Sequence, residues 1–131
     1  MSLFDRIQKE IPKGLLLYTP VLRSKFEVKS IEPERLVFLA GKTNIEVSRT
    51  CWNGITDFLE GKDWVRIGAL HDTLEKIPEG TLERYLRENS SKDKSKESQA
   101  SYVASLLEHL GIAEVHHGRP SQIRLKAQNN H

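Results

Sequence analysis

The spacing of the apolar residues changes twice along this chain, and this change constrains the fold more than any other feature. Between residues 14 and 47, apolar side chains form short runs or alternate with polar ones, as at Phe26 and Val28, which predicts β-strands. After residue 52 they recur at helical spacing, which predicts helices. The strand-like alternation returns between residues 113 and 125. The sequence therefore predicts an α+β protein.

Four strands are predicted in the first half of the chain. Residues 14–18 and 36–40 are continuous apolar runs, whereas residues 26–28 and 45–47 alternate. Alternation indicates a strand with one exposed face, and the run at residues 36–40 suits a strand that is buried on both faces. The segment 41–44, Gly-Lys-Thr-Asn, has the composition of a hairpin connection between the last two strands.

Capping residues predict where the first helix begins and ends. Ser48 or Thr50 can accept a hydrogen bond from the free backbone donors of a helix that carries Trp52. Gly61 lies just past the end of the helical pattern, where glycine is favoured. A short fifth strand is predicted at residues 64–67.

Three further helices are predicted in the second half. Residues 72–75, Asp-Thr-Leu-Glu, form a capping box, and Thr81 can cap the following helix. The third helix is predicted over about residues 98–110, because Gly111 suits the left-handed conformation that ends many helices. The segment 89–97 has no apolar residue and is predicted to be mobile. A β-hairpin is predicted at 112–126.

Composition and charge limit the classes of protein. The 131 residues are 37% hydrophobic and 29% charged, which suits one globular domain or two very small ones. Twenty Lys and Arg against 18 Asp and Glu leave a net charge of +2, which excludes a polybasic protein that grips nucleic acid by bulk charge. The single Cys51 excludes an internal disulfide and paired-cysteine zinc sites. No apolar run suggests a membrane span or a secretory signal, so we expect a cytoplasmic protein.

Residues 98–125 resemble the recognition helix and wing of bacterial and archaeal winged-helix regulators. In that family the helix ends in Leu-x-x-Leu-Gly before an apolar pair, and the wing carries a Gly-Arg tip and an alternating return strand. The matching segments here are 107–111, 112–113, 118–120 and 123–125. More broadly, the chain resembles small uncharacterised domains that accompany prokaryotic restriction-type endonucleases, which combine a β-rich start with a late Tyr-Val-Ala-x-Leu-Leu helix.

The resemblance implies a winged helix-turn-helix in residues 71–131, packed on a β-rich subdomain with one helix in residues 1–70 as one compact unit. It also implies DNA binding, with the helix in the major groove and the hairpin as the wing. The helix is expected to turn its apolar residues inward, namely Ala100, Ala104, Leu107 and Leu110. Its outward residues would then be Gln99, Ser101, Tyr102 and Ser105.

The predicted site residues divide into two groups by chemistry. We expect base or nearby phosphate contacts from Gln99, Ser101 and Tyr102, and phosphate contacts from Lys94, Lys96, Arg119 and Arg124. The expected function is non-enzymatic binding of double-stranded DNA, in transcription or as an accessory to a restriction or defence system. No metal or cofactor is expected. Because the net charge is low, a second copy or a partner protein would add to the affinity.

Two other functions remain open from the sequence. The same helix and hairpin could instead bind another protein. Glu27 and Lys29 lie on one face of a predicted strand, as in metal-dependent nucleases, but such a site needs a further acid. Asp5 or Glu10 is the only candidate upstream.

Three weaker motifs are better explained structurally. Gly41-Lys42-Thr43 lacks the earlier glycine of a phosphate-binding loop, because position 36 is leucine. His116 and His117 are neighbours on a strand and point to opposite faces, which is poor geometry for one metal ion. Cys51 is expected to be a buried structural thiol.

Overall fold

The computed structural model describes residues 2–68, 76–89 and 99–126. These ranges contain helices α1 (Leu3–Glu10), α2 (Arg49–Leu59), α3 (Leu82–Asn89) and α4 (Ala100–His109), and strands β1 (Leu16–Tyr18), β2 (Lys25–Ile31), β3 (Arg35–Ala40), β4 (Thr43–Ser48), β5 (Val65–Arg66), β6 (Ala113–His116) and β7 (Gln122–Leu125). The α+β class is confirmed. The predicted helix at 72–75, most of the polar segment 89–97 and the tail after 126 lie outside the described residues.

The first sheet is an antiparallel meander with the strand order β1-β2-β3-β4. Its buried face is built by alternation, since Phe38 is paired with Val28 on one side and with Ile45 on the other. Gly41 has φ 63°, a left-handed value that the tight turn between β3 and β4 requires. The four predicted strands are confirmed.

One helix precedes this sheet in the sequence and another follows it, whereas only one helix was predicted for residues 1–70. In α1, the Ser2 hydroxyl accepts from the Asp5 amide at 3.2 Å, and Phe4 and Ile7 are fully buried. This helix was missed because it is short and only two apolar residues define its buried face. In α2, Ser48 is the cap, since its hydroxyl accepts from the Cys51 amide at 3.2 Å.

The second sheet joins the two halves of the chain. Its strand order is β5-β7-β6, so the short strand from the first half pairs with the C-terminal hairpin, with Val65 opposite Ile123. The hairpin itself is confirmed, with Val115 opposite Ile123 on the other side. Thr81 caps the start of α3 as predicted, because its hydroxyl accepts from the Arg84 amide at 3.1 Å.

One hydrophobic core serves both sheets, running from Phe4 in α1 to Ile123 in β7. Phe38 lies near its centre, where its ring contacts the rings of Phe26, Trp52 and Tyr102. The predicted subdomains therefore share one core. Within the described ranges, no helix is both long enough and apolar enough to cross a membrane.

Candidate nucleic-acid interface

Helix α4, expected to present a polar face to DNA, is buried along most of its length. Its buried residues are Ala100, Val103, Ala104, Ser105, Leu106 and Leu107. The prediction that Ser105 faces outward is wrong, because its hydroxyl donates to the Tyr18 carbonyl at 2.7 Å. Tyr102 is half-buried, with its ring centroid 4.8 Å from that of Phe26. The helix packs against both β6 and β1, and its contact with β1 covers the face that was expected to be free.

The start of α4 is also occupied. Gln99 is only 3% exposed, and its side-chain amide donates to the Glu46 carbonyl at 2.8 Å, so the expectation that it faces outward is wrong. The fully buried carboxylate of Glu83 lies against the amides of Gln99 and Ala100, at 3.5 and 3.4 Å. This carboxylate takes the place that an anion would occupy at a helix N-terminus. Ser101, which follows Ala100 in α4, is half-buried.

Arg124, predicted as a phosphate ligand, is held by carboxylates. Its guanidinium is bound to Glu114 at 2.8 Å and to Asp63 at 3.1 Å, and these contacts raise the pKa of Arg124 above its usual value. The same guanidinium lies over the Trp64 ring at 4.3 Å. A phosphate would have to displace both acids, so Arg124 fixes the segment before β5 to the hairpin.

The outer surface of the second sheet carries a group of polar and aromatic side chains. We call this surface the hairpin face and define it by Trp64, Arg66, His116, Arg119 and Gln122. Arg66, Gln122 and His116 lie side by side across the three strands, on the side opposite buried Val65 and Ile123. Arg119 is exposed in the turn between β6 and β7. No described residue forms an ion pair with Arg66 or Arg119.

The aromatic member of the hairpin face is Trp64. It is 36% exposed and meets the His116 ring edge-on at 6.1 Å between centroids. An open cleft of about 560 Å³ adjoins it, lined by Arg66 and Thr81 among others. Of the residues on the hairpin face, only Arg119 was predicted from the sequence, because the pairing of β5 with the hairpin, which brings Trp64 and Arg66 to this face, has no local signal. Lys94 and Lys96 lie outside the described residues.

His117 points away from the hairpin face and connects three elements. One ring nitrogen lies 2.9 Å from the Pro20 carbonyl and the other lies 2.8 Å from the Glu108 carboxylate. Both partners are acceptors, so both bonds form only when the imidazole carries two protons. The hydrogen bond that the imidazole donates to the Glu108 carboxylate and, next in size, the one it donates to the Pro20 carbonyl raise the pKa of His117, against the smaller opposing effects of burial and of nearby Arg23. The opposite orientations predicted for His116 and His117 are confirmed.

A comparison of the whole chain with protein families gives one result. The model of the Family of unknown function (DUF6855) matches residues 8–128. The chain belongs to this family. No curated protein and no solved structure matches it. The matched residues of this DUF6855 protein include both sheets and the whole hairpin face.

The pKa of His117 predicts a pH-dependent stability for the DUF6855 protein. Because the folded pKa is raised above about 6.5, the stabilisation is complete below that pH and is lost as pH rises through the folded pKa. The side chains of His117 and Glu108 are 38% and 40% exposed, so we expect a loss of less than about 1 kcal/mol. Urea unfolding at about pH 6 and about pH 8.5 should show this loss in the wild type and not in His117→Gln.

The control for this prediction is His116→Gln, which removes the neighbouring exposed imidazole. This variant should keep the pH dependence of the wild type. If His117→Gln kept it as well, the ring of His117 would not be the titrating group.

Other reactive groups of the DUF6855 protein are engaged in packing. Burial raises the pKa of the Cys51 thiol, which lies 3.3 Å from the Asn89 carbonyl, as expected for a structural cysteine. Burial also raises the pKa of Tyr85 to about 12, and its hydroxyl donates to the Cys51 carbonyl. Among the residues that the structure describes, no three His, Cys, Asp or Glu side chains converge as metal ligands.

Proposed function

We propose that this protein is a cytoplasmic, non-enzymatic protein that binds double-stranded DNA through the hairpin face of a winged helix-turn-helix. The observation that carries the proposal is the pair of exposed arginines, Arg66 and Arg119, which have no acid partner among the described residues. They lie on and beside a hairpin whose sequence resembles a wing. Guanidinium groups in such a position suit phosphate oxygens.

The order of the elements supports this proposal. After α2 come strand β5, helices α3 and α4, and then the hairpin of β6 and β7. Helix, helix and hairpin in succession is the order of a winged helix-turn-helix. Strand β5 pairs with β7, so the hairpin is part of a three-stranded sheet.

The burial of α4 changes how DNA would be contacted. Glu83 fills the start of α4 and Gln99 is buried, so the first turn of the helix offers little to base edges. Contacts would come mainly from the hairpin face to phosphates, which position a protein without reading sequence. We therefore propose weak sequence preference and modest affinity for one chain, which a homodimer would increase.

Salt dependence tests this function. Two neutralised phosphates give a log–log slope of about −1.8, so affinity for a random duplex should fall about tenfold between about 50 and about 200 mM salt. Fluorescence anisotropy with a labelled duplex measures this directly. The double variant Arg66→Ala/Arg119→Ala should lose the salt-dependent binding.

A matched control distinguishes the effect of these two arginines from the effect of total charge. Lys9→Ala/Lys42→Ala removes two exposed cations from α1 and the β3–β4 turn, far along the chain from the hairpin. It should bind as the wild type does. Equal loss in both double variants would show a general charge effect, and absence of binding at low salt would reject DNA as the ligand.

A second candidate is binding of a partner protein at the same surface, as an accessory subunit would. Trp64 favours it, because it is exposed and held in place by Arg124, and tryptophan and arginine dominate interface energies. Such binding would respond weakly to salt and strongly to Trp64→Ala. DNA binding through two arginines would respond strongly to salt and weakly to Trp64→Ala.

A further inference from the structure

Three exposed apolar side chains lie close together in the sequence, on β1 and the loop that follows it. Among the described residues, four large hydrophobic side chains are exposed, and three of them are Leu16 at 54%, Tyr18 at 46% and Leu22 at 76%. Single exposed leucines need no explanation, but a group of large apolar side chains marks an interaction surface. We call Leu16, Tyr18, Leu22, Arg23 and Lys25 the β1 patch.

The loop that carries Leu22 is held in one conformation by its own hydrogen bonds. The Thr19 amide donates to the Ser24 carbonyl at 3.0 Å, and the Thr19 hydroxyl accepts from the Ser24 amide at 3.0 Å. His117 attaches the same loop to the hairpin through the Pro20 carbonyl. Leu22 is thus displayed by an ordered loop, which reduces the entropy lost when a partner binds.

Arg23 shows that this loop conformation has a cost. Its φ is 56°, a left-handed value that residues other than glycine rarely adopt. Its amide donates to the Thr19 carbonyl at 3.1 Å, and its guanidinium lies 5.6 Å from the Tyr18 ring centroid. Such strain persists where the surrounding structure enforces it, most often at functional surfaces.

A partner would contact the β1 patch through side chains, not by adding a strand. Although β1 is the edge of the first sheet, the Tyr18 carbonyl already accepts from Ser105 of α4. Another strand would have to replace this bond. Leu16 and Tyr18 share one face of β1, two positions apart.

The charges around the β1 patch indicate what kind of partner fits. Lys25 lies opposite Tyr18 in the sheet, and no described residue forms an ion pair with Lys25 or Arg23. Glu27, opposite Leu16, is the only acid in register with β1, so the patch is cationic. Two copies of the chain would bring these cations together, which disfavours self-association through this surface. Acidic groups on a partner would complement them.

We propose that the β1 patch binds a segment of a partner protein that carries large apolar side chains next to aspartate or glutamate. Leu22 and Tyr18 would contact the apolar groups, and Arg23 and Lys25 the carboxylates. This surface shares no residue with the hairpin face, and its binding of a protein segment would not require DNA. It would attach a second protein to the chain.

Selection from a display library of random short peptides tests the proposal without a known partner. Peptides enriched on the wild-type protein should combine Leu, Ile, Phe or Trp with Asp or Glu. A labelled, enriched peptide should bind about tenfold more weakly to Leu22→Ser and to Arg23→Glu/Lys25→Glu. The same peptide with its acids changed to lysine should recover binding to the charge-reversed protein.

The control variant is Lys9→Glu/Lys42→Glu, which reverses two exposed charges elsewhere and should leave peptide binding unchanged. Failure to enrich acidic and apolar peptides, or binding that survives Leu22→Ser, would overturn the proposal. So would a dimer in sedimentation that Leu22→Ser abolishes, since the occupant would then be a second copy. Loss of DNA binding in Arg23→Glu/Lys25→Glu without any peptide binding would assign the patch to DNA. Peptide binding is measured without DNA, so either function can fail alone.

Discussion

Phe38→Ala is expected to lower the free energy of unfolding by about 3–5 kcal/mol, the largest effect of any substitution considered for this protein. The Phe38 side chain is fully buried, and its ring centroid lies 5.4 Å from that of Phe26, 6.2 Å from that of Trp52 and 6.0 Å from that of Tyr102. These partners come from β2, α2 and α4. The alanine leaves a cavity where all three elements meet, and rigid strands on both sides of β3 limit its collapse.

The same experiment tests whether the chain unfolds as one unit. Circular dichroism reports all elements, whereas tryptophan fluorescence reports Trp52 in α2 and Trp64 beside the second sheet. Because both sheets share one core, the two signals should give the same urea midpoint in the wild type. Separate midpoints would mean that residues 1–70 and 71–131 unfold independently.

Two further substitutions make the Phe38 measurement specific. Leu39→Ala alters the next residue on β3, which is half-buried on the opposite face, and should cost about 1 kcal/mol. If Phe38→Ala fails to fold, Phe38→Leu keeps most of the volume and should cost about 1–2 kcal/mol. Equal effects at positions 38 and 39 would contradict the placement of the core.

Local patterns were sufficient to predict most elements of the fold. The turn at Gly41 and the caps at Ser48 and Thr81 depend on residues within a few positions of each other, so the sequence displays them directly. Helix α1 was missed because eight residues with two buried side chains give a weak periodic signal. The pairing of Val65 with Ile123 has no local signal at all.

The predicted orientation of α4 was wrong for a related reason. Gln99 and Ser105 are polar and were expected to face solvent, but each donates to a backbone carbonyl of the first sheet. The missed signal was Leu106, a buried apolar residue that lies beside the stripe formed by the inward residues that the sequence suggested, on the same side as Gln99. A helix that is apolar on more than one face is buried on more than one face. The same distant packing decided which cations are free, because Arg124 meets Asp63 only in the folded chain.

Glu83→Ala is expected to lower the free energy of unfolding by about 2 kcal/mol or more. The carboxylate is fully buried and lies against the first amides of α4, so the alanine leaves buried donors without this acceptor and removes an anion from the helix start. Glu83→Gln keeps one acceptor oxygen and should cost less. Urea unfolding at neutral pH measures both, and Glu88→Gln, an exposed glutamate on the same helix, should change stability by less than about 0.5 kcal/mol.

Glu83→Gln also separates two ways of binding DNA. If phosphates approached the first turn of α4, removal of this negative charge would increase DNA affinity, because the helix start would then attract anions. Binding led by the hairpin face predicts no increase, since Gln99 keeps the helix start covered by its bond to the Glu46 carbonyl. Anisotropy titrations at equal fractions of folded protein make the comparison. A clear gain in affinity would assign DNA contact to α4, whereas unchanged affinity with loss in Arg66→Ala/Arg119→Ala would assign it to the hairpin.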